Sequence, residues 1–215
     1  MEPNAVEIRV VGCLVEKQRT TPDAYPLSLN ALRLACNQST NRDPVVSYDE
    51  ATVSEALRRL ALRGWTRLAS GAGSRARKYR HLLPEALGVD EEELALLAVL
   101  MLRGPQTPGE LKQRSERLFS FPDLATVQEA LERLVEREQI IRHPRRPGQK
   151  EDRYEQVLSG GAAEAAETEA LSPAATVAAP ADDGEDRIER IERELAALRA
   201  ELASLRAALG DDEAS

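Results

Sequence analysis

The stretch Thr52-Val53-Ser54-Glu55-Ala56-Leu57-Arg58-Arg59-Leu60 recurs 74 residues later as Thr126-Val127-Gln128-Glu129-Ala130-Leu131-Glu132-Arg133-Leu134. In the first copy, Val53, Ala56, Leu57 and Leu60 are spaced as on the buried stripe of an amphipathic helix, and the second copy keeps this spacing. An apolar, strand-like run follows each helix, at 65–69 and at 139–143. The repeat therefore predicts that the chain contains two copies of one small folding unit.

The first unit is predicted to begin with two further helices. Asn4 is a candidate N-cap for the first helix, with Glu7 at the capping-box position, and Thr20-Thr21-Pro22-Asp23 ends it. A second helix is predicted to open at 27–30, and Ser47-Tyr48-Asp49-Glu50 is a capping-box pattern for the third. Gly64 is predicted to end the third helix, and strands at 65–69 and 78–83 flank a glycine-rich turn at 71–73. Three helices followed by a hairpin is the order of a winged-helix domain.

The second unit repeats this plan. Asp90, with Glu93 at the capping-box position, predicts a helix through Leu102, while Pro108 and Asp123 mark the starts of the next two. Strands are predicted at 139–143 and 154–158, and the loop before the third helix is five residues shorter than its counterpart, which contains 37–44. The predicted fold is mainly α with small β-hairpins (α+β), with tandem winged-helix domains at 1–85 and 86–158.

The C-terminal part has a different composition. Residues 159–186 are rich in Ala, Glu, Gly, Pro and Thr, which predicts a disordered acidic linker. Residues 187–210 carry apolar side chains at alternating spacings of three and four, namely Ile188, Ile191, Leu195, Leu198, Leu202, Leu205 and Leu209. This heptad pattern predicts a coiled-coil helix and a homodimer, and the alternative is a single helix that docks on its own body.

The charges and cysteines constrain the class of protein. The net charge is −8, yet residues 1–158 hold 24 Lys+Arg and 23 Asp+Glu, so the acidity belongs to residues 159–215. Nucleic acid therefore stays open as a partner of the body. Cys13 and Cys36 lack a CxxC spacing and are predicted to be small core residues of a reduced, cytoplasmic protein, with a disulfide or a reactive thiol as the alternatives. The sequence suggests neither a signal peptide nor a membrane span.

The chemistry of an enzyme is not evident in the sequence. The two histidines, His81 and His143, are far apart, and we find no metal-ligand spacing, phosphate-binding loop or nucleophile motif. The carboxylates lie on predicted helix surfaces. We therefore expect a non-enzymatic protein with no metal and no cofactor.

The basic residues of the first unit indicate a different function. From Arg58 to His81 there are eight basic residues and no acidic one. A helix in the major groove and a wing over the backbone both require cations, which neutralise phosphates. The candidate DNA-binding residues are Arg58, Arg59, Arg63, Arg75, Arg77 and Lys78, and the alternative is a solvated basic hairpin that pairs with the acidic tail.

Two other regions carry weaker predictions. The outward face of the second unit's third helix presents Glu129, Glu132, Arg133 and Glu136, so we expect it to avoid phosphates and to pack on the first unit or on a partner. In the long loop of the first unit, Asn37, Asn41 and Arg42 are candidates for contact with a phosphate or a partner. The alternative is that they satisfy the loop's own backbone, with Arg42 paired to Asp43.

The chain also resembles a known family. The resemblance is carried by Glu16-Lys17, Thr20-Thr21-Pro22-Asp23, Tyr25 to Leu32, Ala35 to Gln38, Asn41 to Val45, Arg103 to Leu111, Arg114-Ser115 and Pro147 to Glu151. These motifs are similar to those of the YceH-like family of uncharacterised bacterial proteins, over a span from about Ile8 to Gly160. The resemblance implies a tandem winged-helix fold and supplies no substrate, cofactor or catalytic residue.

Two functions remain in competition on the sequence alone. The leading hypothesis is a DNA-binding, transcription-regulatory protein that meets duplex DNA through the third helix and wing of its first domain. The rival is a protein-interaction scaffold that uses paired winged helices without contacting DNA, and this rival rests on fold analogy.

Overall fold

The computed structural model describes residues 2–69, 77–145 and 151–159. The helices are α1 (Ala5–Thr20), α2 (Leu29–Cys36), α3 (Glu50–Leu62), α4 (Leu83–Leu87), α5 (Glu91–Arg103), α6 (Pro108–Ser115) and α7 (Leu124–Glu136), and a 3-10 helix spans Pro22–Ala24. The strands are β1 (Leu27–Ser28), β2 (Thr66–Leu68), β3 (Lys78–His81), β4 (Ile140–His143) and β5 (Arg153–Gln156). Helices with two small antiparallel sheets confirm the predicted α+β class. The predicted turn at 71–73, the coiled coil and the linker beyond Ser159 lie outside the described residues.

The helices begin where polar side chains can bind their free N–H groups. The side chain of Asn4 accepts the N–H of Glu7 at 2.9 Å at the start of α1, as predicted. Asp90 and Glu93 form the predicted reciprocal capping box of α5, with distances of 2.8 and 3.0 Å. At α3 the cap is Asp49, not the predicted Ser47, because the Asp49 carboxylate accepts a backbone N–H three residues on at 2.7 Å.

Each half of the molecule contains a small antiparallel sheet. In the first half the strand order is β1-β3-β2, with Leu27 opposite Tyr79 and Thr66 opposite His81. The sequence analysis missed β1, because two residues are too few to show strand alternation. In the second half β4 pairs with β5, and Gln106 exchanges two backbone hydrogen bonds with Tyr154, at 3.0 and 2.8 Å. Gln106 therefore occupies the position that β1 occupies in the first half.

The connections between the helices also repeat, with one insertion. Residues 37–49 separate α2 from α3, whereas residues 116–123 separate α6 from α7. The predicted difference of five residues is confirmed. The predicted return strand 78–83 ends earlier, at His81, because Leu83 and Pro84 begin the short helix α4. Helix α4 ends at Gly88, whose φ of +66° suits glycine, and it spans the predicted boundary at residue 85.

The first helix of each half joins the two halves. Helices α1 and α5 pack against each other, and a Cβ added to Gly12 would lie 3.1 Å from the Met101 Cβ and 3.2 Å from the Leu102 Cδ2. One cluster of buried apolar residues contains side chains from both halves, from Leu14 and Leu60 to Leu97 and Leu131. All described residues belong to one compact unit. The halves are therefore held together by core packing as well as by the covalent chain.

Candidate nucleic-acid interface

A groove of about 560 Å³ runs between α3 and the β2–β3 hairpin of the first half. Its walls are Ser54, Glu55, Leu57, Arg58, Ala61, Thr66, Arg67, Leu68, Arg77 and Tyr79. The three arginines come from three separate elements: α3, β2 and the residue before β3. Glu55 is the sole carboxylate among these lining residues. The groove therefore presents more positive than negative side chains to whatever lies in it.

The local sequence explains how the groove arises. Val53, Ala56, Leu57 and Leu60 of α3 are buried, as predicted, so the opposite side of the helix carries the polar residues to the surface. On β2, Thr66 is buried while Arg67 and Leu68 are exposed. The exposed Leu68 and the half-buried Tyr79 lie opposite each other on neighbouring strands and give the groove an apolar floor.

Glu55 already engages two of the predicted DNA-binding arginines. Arg58 donates to both carboxylate oxygens of Glu55, at 2.8 and 2.6 Å, and Arg59 donates through Nε at 2.9 Å. The guanidinium of Arg58, and then that of Arg59, hold the pKa of Glu55 at about 2. Glu55 is therefore ionised near neutral pH. Because the Arg58 side chain is 62% exposed, its guanidinium can still reach a ligand in the groove.

Arg59 and Arg63 face a buried carboxylate at the start of α1. Arg63 Nε lies 3.3 Å from Glu7, and Arg59 Nη1 lies 3.7 Å from it, while the Glu7 side chain is 2% exposed. An unpaired carboxylate would be costly at this depth. Arg63 therefore serves the fold in this structure, and Arg59 is shared between the buried Glu7 and the exposed Glu55.

The remaining predicted DNA-binding residues lie on the hairpin. Arg77 and Lys78 are exposed at the start of β3, and Arg77 lines the groove. Arg75 lies outside the described residues. Arg67, which the sequence analysis counted among the basic residues but did not single out, is the third arginine of the groove. The predicted strand at 65–69 contains Arg67, but its residues do not alternate between polar and apolar, so the sequence did not show that Arg67 faces the groove.

The corresponding groove of the second half is smaller and carries balanced charges. Its volume is about 360 Å³, and its walls are Pro108, Leu124, Gln128, Arg142, Arg145, Glu151, Asp152 and Tyr154. Asp152 accepts hydrogen bonds from the Arg142 side chain at 2.7 Å and from the Arg145 backbone at 2.9 Å. On α7, Glu129, Glu132 and Glu136 are exposed. This surface is therefore less positive than the groove of the first half, and α7 packs on α5, α6 and β4.

The charged residues of the long loop are used inside the fold. The Arg42 side chain is fully buried and donates to Glu16 at 3.0 and 2.6 Å, to Gln38 at 2.8 Å and to the Ala35 carbonyl at 3.1 Å. Arg42 is therefore inaccessible to a phosphate or a partner, and its ion-pair partner is Glu16 rather than the predicted Asp43.

Asn37 closes the same loop, because its side-chain amide bonds the backbone N–H and carbonyl of Tyr48, both at 2.8 Å. These contacts favour the alternative in which the amide satisfies the loop's own backbone. Asn41 is exposed with a φ of +60°, and its side-chain oxygen accepts a hydrogen bond from Arg103.

The other candidate chemical groups lie apart from the groove. His81 is buried and bonds Gln18 at 2.5 Å, whereas His143 lies near Glu155 on the other sheet. Burial lowers the pKa of His81 to about 4, although Glu85 opposes the shift. Cys13 and Cys36 are free and buried, which supports their predicted place in the core. Within the described ranges, His, Cys, Asp and Glu side chains form no cluster that could hold a metal ion, and none of the helices has the length and hydropathy of a membrane span.

Comparison with known proteins assigns the chain to a family. Residues 4–149 match the family described as "Protein of unknown function, DUF480", and the chain belongs to this family. It is 49% identical to a UPF0502 protein of Geotalea daltonii over 193 residues, which cover 89% of this chain and 87% of the relative. It is also 49% identical to one of Geobacter metallireducens, over 89% of this chain and 88% of the relative. A third, from Pelobacter propionicus, is 46% identical over 97% and 95%. The predicted membership in an uncharacterised bacterial family is confirmed.

Proposed function

We propose that the protein is a non-enzymatic, tandem winged-helix protein that binds duplex DNA through the groove of its first half. The winged-helix assignment is supported by the same order in both halves: a helix, a short strand or bridge, two helices and a hairpin. In such domains the third helix enters the major groove and the hairpin contacts the backbone. Here these two elements are α3 and β2–β3.

The observation that carries the proposal is the meeting of Arg58, Arg67 and Arg77 in one groove. Each guanidinium can neutralise a phosphate and release counterions, and its planar donors suit phosphate oxygens or a guanine edge. The single carboxylate, Glu55, leaves a net positive charge among the lining residues. Glu55 has two roles in the proposal: it orients Arg58, and it can accept a hydrogen bond from a cytosine amino group.

A salt titration with matched variants tests the proposal. The full chain should bind duplex DNA with an affinity that falls steeply as salt rises, and Arg58→Ala with Arg77→Ala should reduce the slope of log affinity against log salt by about 2. The control, Arg142→Ala with Arg145→Ala, removes the same charge from the groove of the second half. Equal losses in the two double variants, or the absence of binding by the wild type, would refute the assignment.

A second candidate function rests on the acidic surface of α7. Glu129, Glu132 and Glu136 are exposed on one helix, and carboxylates in this arrangement suit a basic protein partner rather than DNA. Under this proposal the second half docks a partner while the first half binds DNA, or the protein is a scaffold alone. Glu132→Lys with Glu136→Lys should abolish capture of such a partner and leave DNA affinity undiminished; loss of DNA affinity would contradict the division of roles.

Dimerisation through 188–209 belongs to the same proposal, although these residues lie outside the described part of the chain. Two linked copies of a weak DNA site gain affinity through effective concentration. Light scattering of the full chain should give the mass of a dimer, and Leu195→Asp with Leu202→Asp should give a monomer. An unchanged mass would exclude the predicted heptad as the dimer interface.

A further inference from the structure

A second cationic cleft lies where α1, α5, α6 and the long loop at 37–49 meet. Its volume is about 210 Å³, and its polar lining residues include Glu16, Asn41, Arg103, Gln113, Arg114 and Arg117. Val99 and Leu102 are buried and form an apolar floor. Arg103, Arg114 and Arg117 supply three guanidinium groups from the end of α5, from α6 and from the residues just after it.

The carboxylate that lines this cleft, Glu16, is already neutralised. Glu16 forms a bidentate pair with the buried Arg42 and lies 3.3 Å from Lys17. Burial alone would raise the pKa of Glu16, but the hydrogen bonds and charge of Arg42 outweigh it and keep that pKa below its usual value. Glu110, one helical turn before Arg114, is shared between Arg114 at 3.4 Å and Arg153 at 3.1 Å.

The arginines of the cleft are less completely paired with carboxylates. Arg103 donates to the neutral Asn41 side chain, and Arg117 makes neither an ion pair nor a hydrogen bond with any described residue. Burial, followed by repulsion from Arg114 and Arg42, lowers the pKa of Arg103, although an arginine stays protonated. Like charges are therefore crowded at the edge of an apolar floor, and a bound anion would relieve their repulsion.

We propose that this cleft binds a phosphate group through Arg103, Arg114 and Arg117. Guanidinium forks match the oxygens of a phosphate, and the side-chain amide of Gln113, which lines the same cleft, offers a further donor. The cleft is smaller than the roughly 300–1,000 Å³ of typical drug-sized ligand sites, so it suits inorganic phosphate or a compact phosphate ester. The DNA backbone presents the same kind of phosphate oxygens. The site is separate from the proposed DNA groove, because the two share no lining residue.

The first arm of the test uses inorganic phosphate and the full chain. Calorimetric titration at constant ionic strength should give saturable binding, and Arg117→Ala should weaken it about tenfold, the lower end expected for a charge-assisted contact. Arg117 is exposed and forms no bond within the described residues, so its removal should leave folding intact. Arg103→Lys, which keeps the charge but loses the planar fork, should also weaken binding. The matched control Arg33→Ala removes one charge from α2, outside the residues that line either groove, and should leave phosphate affinity unchanged.

The second arm distinguishes a free phosphate from the DNA backbone. If the cleft takes a small phosphate, Arg117→Ala lowers phosphate affinity and leaves duplex DNA affinity unchanged. If it holds a backbone phosphate, Arg117→Ala lowers DNA affinity and the salt slope by about 1, even where inorganic phosphate binds too weakly to measure. Either pattern supports a phosphate site. The proposal is overturned if Arg117→Ala changes neither affinity, or if Arg33→Ala weakens the binding of inorganic phosphate as much as Arg117→Ala does.

Discussion

The two halves share a buried ion cluster but differ in their grooves. In the first half Glu7, at the third position of α1, faces Arg59 and Arg63 of α3. In the second half Glu93, at the third position of α5, contacts Arg133 at 3.1 Å and Arg137 at 2.9 Å, and its side chain is fully buried. The four arginines are related by the same 74-residue offset. Charges that the repeat retains therefore support the fold in both halves.

Charges that differ between the halves lie on the surface. Arg58 of α3 corresponds by the repeat to Glu132 of α7. Tyr79 and Tyr154 occupy matching places in the two sheets, and the residues two before them are Arg77 and Asp152. Each difference replaces a cation with a carboxylate at the groove or on the helix beside it. The comparison indicates that Arg59 and Arg63 are needed for the fold, whereas Arg58 and Arg77 are available to bind a ligand.

The largest expected effect comes from breaking the shared ion cluster. Arg133→Met with Arg137→Met leaves the Glu93 carboxylate buried without its cations, and Arg59→Met with Arg63→Met does the same to Glu7. Each double variant should lower the free energy of unfolding by about 3 kcal/mol, the lower end for a broken buried pair, because these arginines are partly exposed. Urea denaturation measures the change. A loss in one half only would show that the clusters are not equivalent.

The second prediction concerns His81, which corresponds to Gln156 in the second half. The folded pKa of His81 is about 4, because burial disfavours its charged form, whereas an unfolded histidine titrates near 6.5. Between these values the unfolded chain binds more protons, so His81 makes stability rise with pH across that window. When the pH is lowered from 7 to 5, His81 should therefore reduce the free energy of unfolding by about 2 kcal/mol. His81→Gln should remove that part of the pH dependence, and parallel curves for the two proteins would contradict the burial argument.

The third prediction compares two helical glycines, one from each half. Gly12 lies against Met101 and Leu102, so Gly12→Ala should destabilise the protein by about 1 kcal/mol through overpacking, after the gain in helix propensity. At Gly109 of α6 an added Cβ meets only a Glu151 oxygen at 3.9 Å. Gly109→Ala should therefore stabilise the protein by about 0.5 kcal/mol. Thermal denaturation distinguishes the two signs, and stabilisation by both would mean that the α1–α5 contact can relax.

The repeat predicted much of the fold because amphipathic spacing and capping residues are local features. The buried stripe of α3, the caps Asn4, Asp90 and Asp123, and the longer loop all follow from short stretches of sequence. The strand β1 and the helix α4 were missed, because each is too short to show a period.

The site was predicted only in part, because charge partners in three dimensions are not local. The sequence predicts Glu7 only as a capping residue. Nothing beside it in the sequence indicates that its ion-pair partner is Arg63, which is 56 residues away. Arg42 likewise pairs with Glu16, not with its neighbour Asp43. A stronger signal was available: Arg59 and Arg63 recur as Arg133 and Arg137, whereas Arg58 and Arg77 do not recur. In a duplicated unit, retained charges are better candidates for structure than for binding.

The smallest expected effect is also the most direct test of the comparison. In a protein that carries Arg58→Ala and Arg77→Ala, the changes Glu132→Arg and Asp152→Arg place the arginine pattern of the first half on the second. DNA affinity should recover by about twofold, which is about 0.4 kcal/mol at 1.4 kcal/mol per tenfold. The recovery should be partial, because the second groove is smaller and Glu129, Glu136 and Glu151 stay beside it. Arg142 and Arg145 also lose the carboxylate that now holds them. The control therefore adds the same total charge at two exposed acids outside both grooves, through Asp23→Arg and Glu138→Arg. Equal recovery in the control would mean that net charge alone sets the affinity, and the difference between the two grooves would then carry no information about DNA recognition.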